Sequence, residues 1–155
     1  MVAYNLQALR ARDVINGVVC AVLKPPAEKR SHVAVGGKVH LFCGAKPPLY
    51  FKAPDCHRLM VAPCTRSDPI RIEARGAIVD GRLQTNPDWT QVLARADGYA
   101  DFGELQAAYD RLHGLPWEGQ LIRWNPLLAE FRAQWPLIEK PPDPSHSGAD
   151  PPDTE

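Results

Sequence analysis

The sequence predicts an α+β domain in which helices flank a curved and largely antiparallel sheet. Hydrophobic periodicity gives the order strand, helix, several strands, two helices and strand, which is typical of this class. A length of 155 residues with 45% hydrophobic and 23% charged residues is ordinary for one soluble globular domain. We expect that domain to occupy residues 1–138. Residues 139–155 are Pro- and Asp-rich and lack apolar periodicity, so they are predicted to be a disordered tail.

The first three elements are predicted from consecutive segments near the amino terminus. Residues 2–7 alternate loosely and predict a strand, and residues 8–16 have the apolar spacing of a helix. Gly17 follows as the residue that commonly ends a helix in a left-handed conformation. Residues 18–23 are almost continuously apolar, which indicates a buried strand.

The middle of the chain is predicted to supply most of the sheet. Apolar and polar residues alternate over Lys38–Cys43, as in a strand with one buried face. Leu59–Cys64 and Ile70–Val79 predict further strands, and the Asp-Gly pair that follows predicts a turn into another short strand. Residues 44–54 contain three prolines and no clear period, so we expect a long irregular loop there.

Two helices are predicted from their capping residues. Asn86 followed by proline is typical of a helix start, and the helix is expected to cover Pro87–Ala96. Asp101 and Glu104 have the spacing of a capping box for a second helix that ends at His113. The remaining predicted elements are a last strand over Gln120–Trp124 and a short helix from Asn125 to about Trp135.

A formal net charge of zero conceals an uneven distribution of charge along the chain. Residues 1–75 hold twelve Lys and Arg against five Asp and Glu, whereas residues 76–155 hold six against thirteen. A basic half can attract phosphate if its charges share a face. The alternative is that folding mixes the two halves and leaves no coherent basic surface.

Cysteine usage and hydropathy bear on the compartment and on metal binding. The chain has no apolar run near the roughly 20 residues that span a bilayer. It also lacks a secretory signal pattern, so we predict a cytoplasmic protein with no membrane partner. The four cysteines lack the tight pairs of a zinc site and are predicted to be buried free thiols, with no metal or other cofactor. They are Cys20, Cys43, Cys56 and Cys64.

Two segments in the second half of the chain resemble one protein family. Leu93–Tyr99 reads Leu-Ala-Arg-Ala-Asp-Gly-Tyr, and Gly119–Trp124 reads Gly-Gln-Leu-Ile-Arg-Trp, one helix later. In this order they resemble the ASCH family of PUA-like domains, and phage- and prophage-associated members in particular. The resemblance covers Val2 to Trp124 and implies a PUA-like β-barrel of the ASCH type with flanking helices. It also implies a module that binds RNA or a nucleotide.

Some ASCH proteins are hydrolases that cleave RNA or deacylate N4-acetylcytidine, and they carry the signature G-x-K-x-x-(E/T)-x-R. The corresponding stretch here begins at Gly17, but Val19 replaces the lysine and Val22 replaces the Glu or Thr. Valine carries no charge and cannot bind or activate a water molecule, so the resemblance implies a degenerate catalytic signature. Lys24 stands at the arginine position and, with Glu73, is the remaining catalytic candidate.

Candidate nucleic-acid-binding residues are cations that could neutralise phosphates and aromatic rings that could stack on bases at about 1–3 kcal/mol each. The alternative for the loop aromatics is that they fix the loop to the core. His40 is interpreted as a solvated or structurally bonded side chain, and Asp97 as a residue that caps or closes a helix, rather than as acid–base catalysts. The predicted binding residues are Lys24, Arg30, Lys38, Lys46, Lys52, Arg58, Tyr50 and Tyr99.

Three functions follow from these observations. The leading hypothesis is an RNA- or nucleotide-binding module without the catalytic signature. The second is a hydrolase that acts on RNA or on an N4-acylated cytidine with displaced catalytic groups. The third is a phage-type protein-interaction module, in which Trp117, Trp124 and Trp135 could anchor a protein partner.

Overall fold

A computed structural model describes residues 2–27 and 31–137, with backbone alone for Ala8. The predicted tail at residues 139–155 lies outside this range. The mixed α+β class and the curved sheet are confirmed. Within the described residues the strands are β1 (Val2–Leu6), β2 (Ala21–Lys24), β3 (Lys38–Cys43), β4 (His57–Glu73), β5 (Gly76–Val79), β6 (Arg82–Leu83), β7 (Trp117–Trp124) and β8 (Phe131–Arg132). The helices are α1 (Ala11–Ile15), α2 (Pro87–Ala96) and α3 (Phe102–His113), with short 3₁₀ turns at Ala8–Arg10 and Pro126–Leu128.

Strand β4 organises the sheet because it belongs to both of its halves. Its first part pairs antiparallel with β3 and with β8, and β3 pairs in parallel with β1. Its second part pairs antiparallel with β5 and β7, and β7 pairs antiparallel with β2. The path β1-β3-β4-β7-β2 curls into a half-barrel, so β1 and β2 are its two ends.

The two faces of the curled sheet bury separate hydrophobic clusters. The inner cluster contains fully buried side chains of β3 and β4, among them Val39, Leu41 and Met60. The outer cluster lies under α2 and α3, where Leu93 and Leu105 pack on the second half of the sheet. Alternation along the strands therefore assigns each side chain to one cluster or to solvent.

Both long helices begin as their capping residues predict. The Asn86 side chain accepts a hydrogen bond from the backbone N–H of Asp88 at 2.9 Å. Asp101 accepts from the backbone N–H of Glu104 at 2.8 Å, and the Glu104 carboxylate accepts from the N–H of Ala100 at 2.9 Å. These bonds satisfy donors that a helix start leaves unpaired, so the predicted bounds of α2 and α3 are confirmed.

Four element predictions are wrong. The two predicted central strands are one continuous strand, β4, and a turn separates β4 from β5 inside the predicted segment Ile70–Val79. The helix predicted from Asn125 is a 3₁₀ turn followed by β8, because Phe131 pairs with Val61 and so extends the sheet. Strand β2 starts only at Ala21, since the N–H groups of residues 18 and 19 both bond to the carbonyl oxygen of Asp13.

The predicted first helix is also shorter and divided, because residues 8–10 form a 3₁₀ turn before α1. Among the described residues, no helix has the length and apolar character that crossing a membrane would require. In the same ranges, no three or more His, Cys, Asp and Glu side chains group closely enough to hold a metal ion.

Candidate nucleic-acid interface and a buried polar network

One candidate site lies on the solvent side of the first half of the sheet. Val39 and Leu41 of β3 are completely buried in the inner cluster, so Lys38 and His40 point to the opposite side. Across the strand pair, His40 lies opposite Val61 of β4. Alternation along β3 therefore sets a lysine and a histidine side by side on the outside of the curl.

An irregularity in the β3–β4 pairing places Arg58 on the same side of the sheet as these two residues. The register shifts between Leu41 and Phe42, which places Arg58 rather than Leu59 opposite Phe42. The guanidinium carbon of Arg58 lies 4.1 Å from the centre of the Phe131 ring. A cation–π contact of this kind orients the guanidinium plane and leaves its N–H groups available to an anion. We call Lys38, His40, Arg58 and Phe131 the basic face.

Electrostatics within the basic face are dominated by its positive groups. Burial, Arg58, the chain's amino terminus and Lys38 lower the pKa of His40 below its usual 6.5, while Glu130 raises it. Lys38 forms an exposed ion pair with Glu130, with its Nζ 3.0 Å from Oε1. An exposed pair of this type contributes little and exchanges readily for another anion. The Nδ1 atom of His40 is buried without a hydrogen-bond partner in the described structure.

The proline-rich loop continues this surface and is held in place at two points. The Phe51 ring packs on the Phe42 ring with their centres 4.7 Å apart, which supports the alternative that loop aromatics fix the loop. The Asn5 side chain bonds to both the N–H and the carbonyl of Ala45, each at 3.1 Å. The predicted residues Lys46, Tyr50 and Lys52 belong to this loop.

Those three loop residues differ in their surroundings. Lys46 pairs with Asp55 at 3.4 Å and stays about two-thirds exposed. Tyr50 is half-buried with a left-handed backbone at φ 52°, and Lys52 is exposed. The loop that packs on β3 therefore presents two solvent-exposed cations.

Lys24, the other main candidate, is buried and lies elsewhere. Only 8% of its surface is exposed, and its Nζ donates to the carbonyl oxygen of Asn5 at 3.1 Å. Because Asn5 belongs to β1, this bond spans the opening between the two ends of the curled sheet. Lys24 thus connects β2 to β1, although β1 pairs with β3 and β2 pairs with β7.

Lys24 belongs to a buried polar network at this seam, which we define as Arg10, Lys24, Asp97 and Tyr109. The Tyr109 hydroxyl donates to Asp97 at 2.7 Å, and Arg10 Nη1 lies 3.9 Å from the other carboxylate oxygen. Arg10 also donates to the carbonyl of Ala96 at the end of α2. The carboxylate of Asp97 therefore links α2 and α3 to the amino-terminal segment.

The pKa of each acidic group in the seam network departs from its ordinary value. Burial raises the pKa of Asp97, although the hydrogen bond from Tyr109 and the charges of Arg10 and Lys24 lower it. Burial and the neighbouring Asp97 raise the pKa of Tyr109. Such a network stabilises a fold only while every member has its partner.

The structure assigns the other candidates to separate places. Glu73 forms ion pairs with Arg71 at 3.1 Å and Arg75 at 2.7 Å, so its carboxylate is engaged by arginines and not by Lys24. Tyr99 is half-buried, and its ring forms a T-shaped contact with the ring of Tyr109, with centres 6.4 Å apart. Val19 and Val22 are buried in the inner cluster, and Arg30 lies outside the described residues.

Sequence reasoning missed Phe131 and undervalued two other residues. Phe131 falls inside the wrongly predicted helix, and only its pairing with β4 places it beneath Arg58. Strand alternation, which is visible in the sequence, predicts that the His40 side chain points outward. No local sequence pattern predicts that Arg58 lies beside it. Arg10 has no sequence signal for its role, since its partner Asp97 is 87 residues away.

The cysteines are free thiols, as predicted, but they are not all buried. Cys43 and Cys64 are buried, whereas Cys20 and Cys56 are partly exposed. Burial raises the pKa of Cys56 to about 12, with a smaller contribution from Cys43. Burial also raises the pKa of Cys43 and of Cys64. A thiol that stays protonated at neutral pH is a poor nucleophile and metal ligand, so Cys43, Cys56 and Cys64 are poorly reactive.

Comparison of the chain with family models, with curated proteins and with solved structures finds no match.

Proposed function

We propose that this protein is an RNA-binding module with a PUA-like, ASCH-type fold whose hydrolytic signature has been lost. The observation that carries the proposal is the basic face, where Lys38, His40 and Arg58 stand beside a half-exposed aromatic ring. Cations spaced along a sheet surface neutralise successive phosphates, and aromatic rings stack on unpaired bases. The loop that packs on β3 through Phe51 carries two further exposed lysines, Lys46 and Lys52.

The chemistry of the basic face favours a single-stranded or looped RNA over a small anion. Its cations are distributed over two strands, β3 and β4, and further lysines lie on the loop that packs on β3. The ion pair between Lys38 and Glu130 is exposed, so a phosphate can replace the carboxylate at small cost. Release of counterions then supplies most of the binding free energy.

The hydrolase alternative has less support. Lys24 and Glu73 are engaged by different partners, and the two signature positions hold core valines. For the protein-interaction alternative, Trp124 is buried in the inner cluster and Trp117 packs on Tyr109, so only Trp135 of the three tryptophans is substantially exposed. We therefore place both functions behind RNA binding.

The test is fluorescence anisotropy with labelled single-stranded and hairpin RNA at low and physiological salt. We expect binding that weakens with salt, and a loss of at least about tenfold in affinity when three cations are neutralised. The slope of log K against log salt should fall in magnitude by about 2, since each single-strand contact contributes about 0.7. The variant is Lys38→Gln, Lys52→Gln and Arg58→Gln together.

A matched control removes three exposed cations from other elements. We expect Arg82→Gln, Arg95→Gln and Arg111→Gln on β6, α2 and α3 to leave the salt slope within about 0.5 of the wild type. Circular dichroism of both variants establishes that they fold. Equal losses in the two variants would show a nonspecific charge effect and would refute the assignment of the face, and absence of RNA binding in the wild type would refute the proposed function.

A further inference from the structure

His40 occupies the middle of the basic face. Along β3, Lys38 precedes it by two residues, and Arg58 of β4 lies opposite Phe42, two residues after it. Two residues of an extended strand cover about 7 Å. The charges of Arg58 and Lys38 both act on the ring of His40. The histidine is therefore flanked by a cation on each side along the strand.

Only one ring nitrogen of His40 is available to a ligand. The Nδ1 atom is buried and has no hydrogen-bond partner among the described residues, whereas Nε2 is not enclosed in this way. Buried N–H groups without an acceptor are rare, because they lose their hydration and gain nothing in return. The neutral ring therefore carries its proton on Nε2, the nitrogen that a ligand can reach.

This donor is electrically neutral at about pH 8. The ordinary pKa of 6.5 already lies below that pH, and burial and the two flanking cations lower the pKa of His40 further. The other groups that act on the ring are Glu130, which raises its pKa, and the chain's amino terminus, which lowers it. His40 thus presents an uncharged N–H donor between two positive charges.

A strand of RNA offers the complementary order of groups. Phosphates alternate with sugars along the strand, and cations such as Lys38 and Arg58 bind the phosphates. The 2′-hydroxyl of each ribose is a neutral group that accepts a hydrogen bond, whereas the sugar of DNA has no polar group at that position. A phosphate matches His40 less well, because a neutral donor forms a weaker bond to an anion than a charged donor does.

We infer that Nε2 of His40 donates a hydrogen bond to a ribose 2′-hydroxyl of the bound strand, and that this contact makes the basic face select RNA over DNA. The inference rests on the proposed function, since it assigns a sugar contact within the same site. In this arrangement Lys38 and Arg58 supply affinity for any nucleic-acid strand, and His40 supplies the preference. The net contribution of one such hydrogen bond corresponds to a preference of about three- to tenfold.

The experiment compares three single strands of one uracil-containing sequence by fluorescence anisotropy at about pH 8. The strands are RNA, DNA and 2′-fluoro RNA, which keeps the sugar pucker of RNA but lacks the hydroxyl. We expect the wild type to bind RNA about three- to tenfold more tightly than either of the other strands.

Variants of His40 test whether this residue causes the preference. We expect His40→Leu to remove it by weakening RNA binding alone, whereas His40→Gln keeps an N–H donor and should retain most of it. The matched control is His113→Leu at an exposed position of α3, which should retain the full preference. Circular dichroism establishes that each variant folds.

A second readout needs no nucleic acid. The ¹⁵N chemical shifts of the His40 ring at about pH 8 should show the proton on Nε2. A proton on Nδ1 would overturn the inference, because Nε2 would then have no hydrogen to donate.

The outcomes separate this inference from the proposed function. If the wild type binds none of the three strands, the proposed function fails and the role of His40 fails with it. If the wild type binds all three equally, or if His40→Leu keeps the preference, nucleic-acid binding stands and the role of His40 is overturned. Equal weakening of all three strands by His40→Leu also overturns it, because His40 then contacts a base or a phosphate.

Discussion

The seam network and the basic face use the same kinds of side chain under opposite conditions of burial. Each combines a lysine, an arginine and an aromatic ring, but Lys24 is 8% exposed whereas the Lys38 side chain is 58% exposed. In the seam network the charges are paired with Asp97 and with backbone carbonyls, and they join α2, α3 and the ends of the sheet. In the basic face one exposed ion pair is the only carboxylate contact among the described residues.

This comparison shows that burial, not residue type, decides whether a cation is enclosed by fixed partners or stays open to solvent. A buried cation that loses its partner leaves an uncompensated charge, so its substitution costs stability. An exposed cation exchanges one anion for another at little cost, so its substitution changes binding instead. The two regions should therefore respond to mutation in opposite ways.

The largest effect is expected for Asp97→Ala in the seam network. It leaves Arg10 buried without its carboxylate and Tyr109 without its acceptor, so we expect a loss of about 3 kcal/mol in the free energy of unfolding. Urea denaturation gives this value from the shift in midpoint. The control is Asp110→Ala on an exposed position of α3, expected within about 0.5 kcal/mol of wild type. A similar small loss for Asp97→Ala would mean that the network does not hold the seam.

The next effect compares two lysines directly. We expect Lys24→Met to lower the free energy of unfolding by about 2 kcal/mol, since it unpairs the carbonyl of Asn5 and removes a charge near Asp97. Lys38→Met should change it by less than about 0.5 kcal/mol.

RNA affinity should rank the same two variants in reverse. We expect Lys38→Met to weaken binding about threefold or more, and Lys24→Met to leave it unchanged at a temperature where the variant is folded. Anisotropy and urea denaturation on both proteins make the comparison. Loss of RNA affinity in folded Lys24→Met would show that RNA binds at the seam network and not at the basic face.

The smallest effect concerns pH. Because the folded-state pKa of His40 is lowered, the ring is neutral at neutral pH and gains its charge only as the pH falls below 6.5. Added positive charge favours RNA, so we expect affinity to rise about two- to fivefold as the pH falls from neutral through the lowered folded-state pKa of His40. His40→Gln should remove this dependence, while His113→Gln on α3 should retain it.

The same shift predicts the opposite trend for stability. A lowered folded-state pKa means that the unfolded chain binds the proton more readily, so the contribution of His40 is present above pH 6.5 and is lost as the pH falls through the folded-state value. We therefore expect the free energy of unfolding of the wild type to decrease relative to that of His40→Gln as the pH falls. An affinity that is flat with pH in the wild type would separate His40 from the binding surface.

Prediction from sequence succeeded where the signal is local. The capping residues Asn86 and Asp101 define α2 and α3 because their bonds reach only two or three residues ahead. Strand β3 was recognisable because alternation is a property of the strand itself. Prediction failed for β8, since Phe131 is a strand residue only by virtue of its pairing with distant Val61.

For the candidate sites, the sequence by itself determined the residue types, their uneven charge along the chain and the apolar character of positions 19 and 22. Tertiary structure alone decided which cations are usable. Lys24 is the last residue of β2 and Lys38 is the first residue of β3. The curl of the sheet brings the end of α2 close to Lys24 and buries it, whereas Lys38 stays exposed to water. Solvation of a charge depends on what packs around it, and those neighbours come from segments far apart in sequence.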